Sequence, residues 1–142
     1  MLDLESIVSA LPHRYPFLMV DRILVIETNK HIIGYKNISN NEPWVQGHFP
    51  NQPLFPGALI IETMAQIGGF AFYQESKNKK EQLRGYLIKV DKMKFIGQVL
   101  PGDRLVIEGD VIASVNNMAQ VKCVAKVDET IVASGVLSYA FQ

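Results

Sequence analysis

The sequence contains very little cysteine: Cys123 is the only one among 142 residues. One cysteine cannot form a disulfide within the chain, nor can it supply a cysteine-based zinc site. The sequence also lacks an apolar run of about 18 residues, the length that a membrane-spanning helix needs. Its first residues, Met1 to Glu5, carry no basic segment like that of a secretory signal peptide. We therefore expect a cytoplasmic protein with no membrane partner.

An excess of charge of one sign is absent as well. The 14 lysine and arginine residues balance the 14 aspartate and glutamate residues. A protein that binds nucleic acid by neutralising phosphates normally needs a basic excess, so we expect no nucleic-acid partner. Hydrophobic residues make up 48% of the chain, which is typical of a globular domain. Without repeats or low-complexity tracts, residues 1–142 are expected to form one domain.

The first part of the chain alternates short apolar segments with turn-forming residues. A helix is expected over residues 4–10, ending near Pro12 because proline disfavours a helical conformation in the residue before it. Branched residues predict strands over residues 17–26 and 31–38. Four of the seven prolines lie in residues 39–56, which predicts a stiff loop.

The most apolar stretch follows this loop. Residues 57–74 predict a helix roughly 27 Å long, and its apolar side chains cover most of the circumference, so it should be buried. Its polar exceptions, Glu62, Thr63 and Gln66, lie within an arc of about 100°. They are either a functional stripe or the solvent-exposed face of the helix. The Gly68-Gly69 pair indicates that another element packs close to the backbone there.

The second half predicts β-structure. Strands are expected over residues 84–96, 104–115, 118–127 and 130–141, and the short turns between the last three favour an antiparallel meander. One long buried helix wrapped by a curved antiparallel sheet of about six strands accommodates this order of elements. The predicted fold class is therefore α+β.

A histidine in the stiff loop and a glutamate in the long helix are the candidate catalytic pair. Histidine is the side chain best suited to proton transfer near neutral pH, so His48 is a candidate base. Glu62, on a helix that should be buried, is a candidate general acid. The alternatives are a histidine bonded within a turn and a glutamate on the wet side of the helix.

Gly57 and Ala58 begin the predicted helix, where backbone N–H groups have no partner within the helix. Such groups can bind a carbonyl oxygen that gains negative charge. A base, an acid and an oxyanion site together match the removal of a proton beside a carbonyl and the loss of a β-hydroxyl group.

Five segments carry a further signal: residues 11–22 (LPHRYPFLMVDR), 46–57 (QGHFPNQPLFPG), 59–62 (LIIE), 65–66 (AQ) and 101–103 (PGD). They resemble the signature blocks of the β-hydroxyacyl-acyl-carrier-protein dehydratases of bacterial type II fatty acid synthesis, the FabZ group. This resemblance covers nearly the whole chain and implies the hot-dog fold. It also implies cofactor-free, metal-free dehydration of a (3R)-hydroxyacyl thioester to a trans-2-enoyl thioester.

The resemblance assigns roles to the matching residues. His48 corresponds to the histidine that takes the C2 proton, and Glu62 to the acid that helps the C3 hydroxyl leave as water. Gly57 would offer its N–H to the thioester oxygen, and Gln66 would lie beneath the acid. Related dehydratase-isomerases carry aspartate at the acid position, so Glu62 favours the FabZ group.

An acidic acyl carrier protein is the partner that the resemblance implies. Residues 77–94 hold seven basic and two acidic side chains, a local charge of 7 − 2 = +5. Most such runs are solvated surface, but Lys89, Lys92 and Lys94 are candidate carrier contacts. The family also implies a homodimer in which each His48 faces the Glu62 of the other chain, and often a hexamer of three dimers.

Other interpretations stay open at this point. A hot-dog thioesterase could use Glu62 to activate water, and a dehydratase-isomerase or a polyketide-pathway dehydratase would share the fold. A non-catalytic carrier-binding subunit is a further alternative. His13 and His31 lack metal-ligand spacing and are expected to be structural or surface groups. Cys123 lies in an alternating strand and is expected to be a small buried hydrophobe.

Overall fold

One antiparallel sheet and two helices make up the part of the chain that the computed structural model describes, residues 1–74, 83 and 85–142. The elements are α1 (Leu4–Ala10), β1 (Arg22–Glu27), β2 (His31–Asn37), α2 (Gly57–Gly69), β3 (Gly85–Phe95), β4 (Arg104–Val115), β5 (Met118–Val127) and β6 (Thr130–Phe141). The six strands form an open sheet in the order β1-β2-β4-β5-β6-β3. This arrangement confirms the α+β fold class and the six-stranded sheet.

Helix α1 has the bounds that the sequence predicts. The Asp3 side chain caps it by accepting a hydrogen bond of 3.0 Å from the backbone N–H of Ser6, and this bond lowers the pKa of the Asp3 carboxyl. Ile7 and Ala10 are its buried residues. The helix ends at Ala10, and its C-cap Leu11 is extended because proline disfavours a helical conformation in the residue before it.

Helix α2 lies in the core and packs against β2, β4 and β5. Ile60, Met64 and Ile67 are almost completely buried, which confirms that the helix is central. It is shorter than predicted, because after Gly69 the chain tightens into a single 3-10 turn, Phe70–Phe72. The backbone N–H groups of Phe70 and Tyr73 donate to the carbonyls three residues before them, as in a 3-10 helix. The two preceding glycines adopt the required backbone conformation easily.

The sheet approaches the α2 backbone at Gly68. A Cβ atom there would lie 2.7 Å from the hydroxyl of Tyr139 and 3.4 Å from the sulfur of Cys123. The predicted close packing is therefore correct for Gly68, whereas a Cβ on Gly69 would meet nothing within 4 Å. Cys123 is fully buried, as expected, and burial raises the pKa of its thiol to about 12.

The strand predicted over residues 17–26 is wrong in its first half, since β1 begins only at Arg22. The preceding backbone is held by a side chain of α2 instead of by a strand. The Gln66 side-chain oxygen accepts from the Met19 N–H at 2.7 Å, and its amide nitrogen donates to the Phe17 carbonyl at 2.8 Å. These bonds place residues 17–19 against the helix.

The segment between β2 and α2 is a loop, as predicted. An ion pair of 2.7 Å between Lys36 and Glu42 fixes its beginning, and the second oxygen of Glu42 accepts from the Ser39 N–H at 2.6 Å. Its end is fixed by a hydrogen bond of 2.8 Å from the Phe55 N–H to the Val99 carbonyl. Phe55 itself is buried in the core.

Strands β4, β5 and β6 form the predicted meander. Asn116, Asp128 and Glu129 at its turns adopt positive φ angles, as does Gly102 before β4. Strand β3 pairs with β6 and lies at one edge of the sheet, while β1 lies at the other. None of the described helices has the length and apolarity needed to cross a membrane.

Candidate active site

The loop before α2 holds the His48 ring by one short hydrogen bond. Its Nδ1 lies 2.7 Å from the carbonyl oxygen of Leu54. A carbonyl only accepts, so Nδ1 carries the proton and Nε2 presents a lone pair. The ring also stacks on Phe49, with the centroids 4.1 Å apart. The histidine is thus bonded within a turn, and the same bond leaves Nε2 able to accept a proton.

Glu62 projects from α2 beside two other polar side chains. Its Oε1 accepts a hydrogen bond of 2.8 Å from the Gln66 amide nitrogen, as expected for a residue beneath the acid. Glu62 is 23% exposed, and Oε1 also lies 3.7 Å from Nε2 of His13. Thr63 and Gln66 are buried, so the polar arc of α2 is not its solvent-exposed face.

A cavity of about 200 Å³ opens next to Glu62. Its polar wall consists of His13, Glu62 and Gln66, and its apolar wall includes Leu87 and Phe141. A carboxyl group that lines a partly apolar cavity can transfer a proton to a substrate whose hydrocarbon chain lies in that cavity.

Within one chain, the structure does not bring His48 and Glu62 together. His48 is not among the residues that line the Glu62 cavity. Its loop instead borders a second cavity of about 330 Å³, lined by residues such as Gln46 and Phe49. No hydrogen bond or ion pair joins the two side chains in the described part of the chain.

The start of α2 has the geometry expected of an anion-binding helix terminus. Pro56 precedes the first helical residue, and neither Gly57 nor Ala58 has a backbone acceptor for its N–H among the described residues. A Cβ on Gly57 would lie only 3.1 Å from the ring of Phe95. Glycine therefore lets that ring approach the N-terminus of the helix.

The other two histidines, His13 and His31, have different surroundings. His31 pairs with Asp110 on the adjacent strand at 2.7 Å, as expected of a structural or surface group. His13 lies beside Glu62 instead, which the sequence analysis missed. No spacing pattern in the sequence signals this contact. Across residues 1–74, 83 and 85–142, no group of three or more potential metal ligands occurs.

The candidate carrier contacts lie on β3. Lys89, Lys92 and Lys94 are exposed there, and Lys89 lies 3.9 Å from Asp91. The other members of the basic run fall outside the described residues: Lys77, Lys79, Lys80 and Arg84.

Comparisons with known proteins identify the family of the chain. The sequence model of the FabA-like domain family matches residues 11–135. The 3-hydroxyacyl-[acyl-carrier-protein] dehydratase FabZ of Caldicellulosiruptor bescii is 42% identical over the full length of both chains. The FabZ dehydratase of Sorangium cellulosum is 43% identical, with 94% of this chain and 86% of that protein covered.

Solved structures share the fold at much lower identity. The dehydratase heterocomplex ApeI:P from Xenorhabdus doucetiae has a TM-score of 0.79 at 17% identity and covers all of this chain and 92% of its own. A hypothetical thioesterase from Streptococcus pneumoniae has a TM-score of 0.63 at 12% identity and covers 85% and 84%. The architecture is the hot-dog fold, and the extent of the match to the curated relatives shows that the chain belongs to the family of FabZ 3-hydroxyacyl-[acyl-carrier-protein] dehydratases.

Proposed function

We propose that this chain, acting as one domain over residues 1–142, dehydrates (3R)-hydroxyacyl-acyl-carrier-protein to the trans-2-enoyl thioester in type II fatty acid synthesis. The observation that carries the proposal is identity of about 42% to FabZ dehydratases over the full chain. In this proposal the reaction takes place in the cytoplasm and uses no cofactor.

The positions of the polar groups support a mechanism with one base and one acid. Nε2 of His48 takes the C2 proton, because Nδ1 is already committed to the Leu54 carbonyl. Glu62 donates its proton to the C3 hydroxyl, which leaves as water while the double bond forms between C2 and C3. The N–H groups of Gly57 and Ala58 bind the thioester oxygen as it gains charge. Returning the proton from His48 to Glu62 through solvent completes the cycle.

The separation of His48 from Glu62 within one chain supports a site shared by two chains. Strand β3 offers the surface for such a dimer, since it is an 11-residue edge strand with exposed apolar side chains, among them Tyr86, Ile88 and Phe95. An unpaired edge with apolar side chains favours pairing with a second copy. In this proposal each site takes His48 from one chain and Glu62 from its partner, and three dimers form a hexamer.

An acidic carrier protein delivers the substrate in this proposal. Lys89, Lys92 and Lys94 place exposed positive charge on β3. Opposite charges on two partners mainly accelerate their association. These lysines are therefore proposed to guide the carrier to the surface on which the active site opens.

The direct test follows the absorbance of the enoyl product made from a hydroxyacyl-carrier substrate. His48→Ala should lower kcat at least about 100-fold, because general-base catalysis is typically worth that factor or more. Glu62→Gln should cause a similar loss, since the amide keeps the size of the side chain but has no proton to transfer. Both variants should unfold cooperatively, with midpoints close to that of the wild-type protein.

The same assay separates this function from its rivals. Release of free thiol without an enoyl product would identify a thioesterase, and a shifted double bond would identify an isomerase. A preference for polyketide intermediates over simple hydroxyacyl chains would assign the protein to a polyketide pathway. Wild-type turnover by His48→Ala would contradict the role of this base.

A further inference from the structure

We propose that His13 is a positioning residue that directs the transferable proton of Glu62 to one carboxyl oxygen, Oε2. In this arrangement Nε2–H of His13 and the amide of Gln66 both face Oε1. The inference rests on the proposed function, because it concerns the proton that the dehydration consumes. It assigns a function to a histidine that the mechanism above does not use.

The Gln66 amide has only one orientation that satisfies its partners. Its oxygen accepts from the Met19 N–H at 2.7 Å, and its nitrogen donates to the Phe17 carbonyl at 2.8 Å. Exchanging oxygen and nitrogen would place donor against donor and acceptor against acceptor. The remaining N–H therefore points to Glu62 Oε1, 2.8 Å away. Gln66 is buried, so water does not compete for these bonds.

The tautomer of His13 follows from its two ring nitrogens. Nδ1 is buried and has no hydrogen-bond partner in the described part of the chain, so it is unpaired whether or not it carries the proton. The surroundings of Nε2, which lies 3.7 Å from Glu62 Oε1, therefore determine which nitrogen carries the proton. A proton there attracts the carboxyl oxygen, whereas a lone pair would repel it. The favoured tautomer carries its proton on Nε2.

The backbone around His13 is held in place by Arg14. The Arg14 guanidinium donates to the carbonyls of Leu11 at 2.7 Å, His13 at 2.8 Å and Val8 at 3.1 Å. These bonds tie the loop to α1. The distance of 3.7 Å is longer than a hydrogen bond, but too short for an intervening water. Catalytic contacts of this kind commonly tighten when the substrate binds.

Two donors at Oε1 determine which oxygen carries the acid proton. A proton on Oε1 would meet the N–H groups of Gln66 and His13, whereas Oε2 has no protein donor among the described residues. The proton is therefore placed on Oε2. After transfer to the leaving hydroxyl, the same two donors stabilise the negative charge on the carboxylate, so the contact acts on the chemical step.

The kinetic test compares two amides at position 13. His13→Gln can place its amide nitrogen near the Nε2 position, whereas His13→Asn can reach only the Nδ1 position, and neither carries a charge. We expect His13→Asn to lower kcat by about 10-fold or more, the usual cost of a hydrogen bond to a charged group, with KM nearly unchanged. His13→Gln should recover most of the wild-type kcat, and equal kcat values for the two variants would overturn the proposal. A loss confined to KM would overturn it as well.

A second measurement does not depend on turnover. The ¹⁵N shifts of the imidazole in wild-type protein should place the proton of His13 on Nε2, and Glu62→Gln should move the Nε2 resonance. A proton on Nδ1, or a resonance that ignores Glu62→Gln, would refute the contact. If the wild-type protein makes no enoyl product, the proposed function fails, while these spectra still decide whether His13 faces the acid.

Discussion

At the scale of the residue, a buried charge in this protein is matched by specific partners. Lys36 is the clearest case, since its side chain is 8% exposed and that of Glu42 is 16% exposed. The Lys36 ammonium also donates to the Asn37 carbonyl at 3.2 Å and lies 5.7 Å from the centre of the Phe55 ring. The pair anchors the loop that holds His48, so its integrity bears on the geometry of the candidate base.

Removing one member of this pair should be costly. Glu42→Ala leaves the Lys36 charge buried without a partner, and breaking a buried pair in this way typically costs about 3 kcal/mol of unfolding free energy or more. The double variant Lys36→Met with Glu42→Ala removes both charges and should lose less. Urea unfolding measures both differences.

The matched control is the more exposed pair Lys126–Glu108, 3.3 Å apart. Glu108→Ala should cost less than about 1 kcal/mol, because water screens exposed ion pairs. Equal losses for Glu42→Ala and Glu108→Ala would show that burial of Lys36 has no energetic consequence.

At the scale of the element, α2 carries both the candidate acid and a close contact between helix and sheet. The Tyr139 hydroxyl donates to the Ala65 carbonyl at 2.8 Å, and burial raises the pKa of this tyrosine well above its ordinary value. This hydroxyl occupies the space in which a side chain at position 68 would lie. Strand β6 thereby holds the helix one turn after Glu62.

Two adjacent glycines of α2 provide a controlled test of this contact. Gly68→Ala should destabilise the protein by about 1–3 kcal/mol, because the added methyl group overpacks against the Tyr139 hydroxyl. Gly69→Ala should be neutral or stabilising by up to about 1 kcal/mol, since alanine favours a helix and its Cβ meets no atom within 4 Å. Thermal or urea unfolding of the two variants gives the comparison. Equal effects would contradict the packing at Gly68.

At the scale of the whole molecule, a single chain leaves the proposed site incomplete. The cavity beside Glu62 and the loop of His48 are separate, and β3 presents an open, partly apolar edge. Two-fold pairing covers such an edge and can bring the loop of one chain to the helix of the other. In our proposal, the functional unit of this protein is therefore a pair of chains.

Complementation tests that arrangement directly. His48→Ala and Glu62→Gln chains, each inactive alone, should regain roughly a quarter of the wild-type activity when they are unfolded and refolded together. Random pairing makes half of the dimers mixed, and each mixed dimer then holds one intact site of two. Mixed dimers isolated through two affinity tags and found inactive would place both residues of a site in one chain.

A second mixture distinguishes the same two arrangements. Wild-type chains refolded with an equal amount of the double variant, His48→Ala with Glu62→Gln, should have roughly a quarter of the activity if sites are shared. Every site in a mixed dimer then lacks one group. Sites built within one chain would instead give about half.

Local sequence patterns determined most of the fold. The bounds of α1 and of β4 to β6 agree with the prediction because turn and capping residues such as Asp3, Asn116 and Asp128 act on backbone within a few positions of themselves. The apolar circumference of α2 likewise predicted its burial. The signature blocks around His48 and Glu62 indicated the family, since each is a contiguous run of residues.

Contacts between distant residues decided what these patterns could not. Gln66 holds the backbone of Phe17 and Met19 from 49 and 47 residues away, which keeps this segment out of β1. The same packing places His13 beside Glu62, and the spacing of the two residues in the sequence does not predict this contact. The family resemblance implied that His48 faces the Glu62 of another chain, and the tertiary structure shows the two residues at different cavities of one chain. All of these features depend on how α2 lies against the loops and the sheet, and tertiary packing alone determines that position.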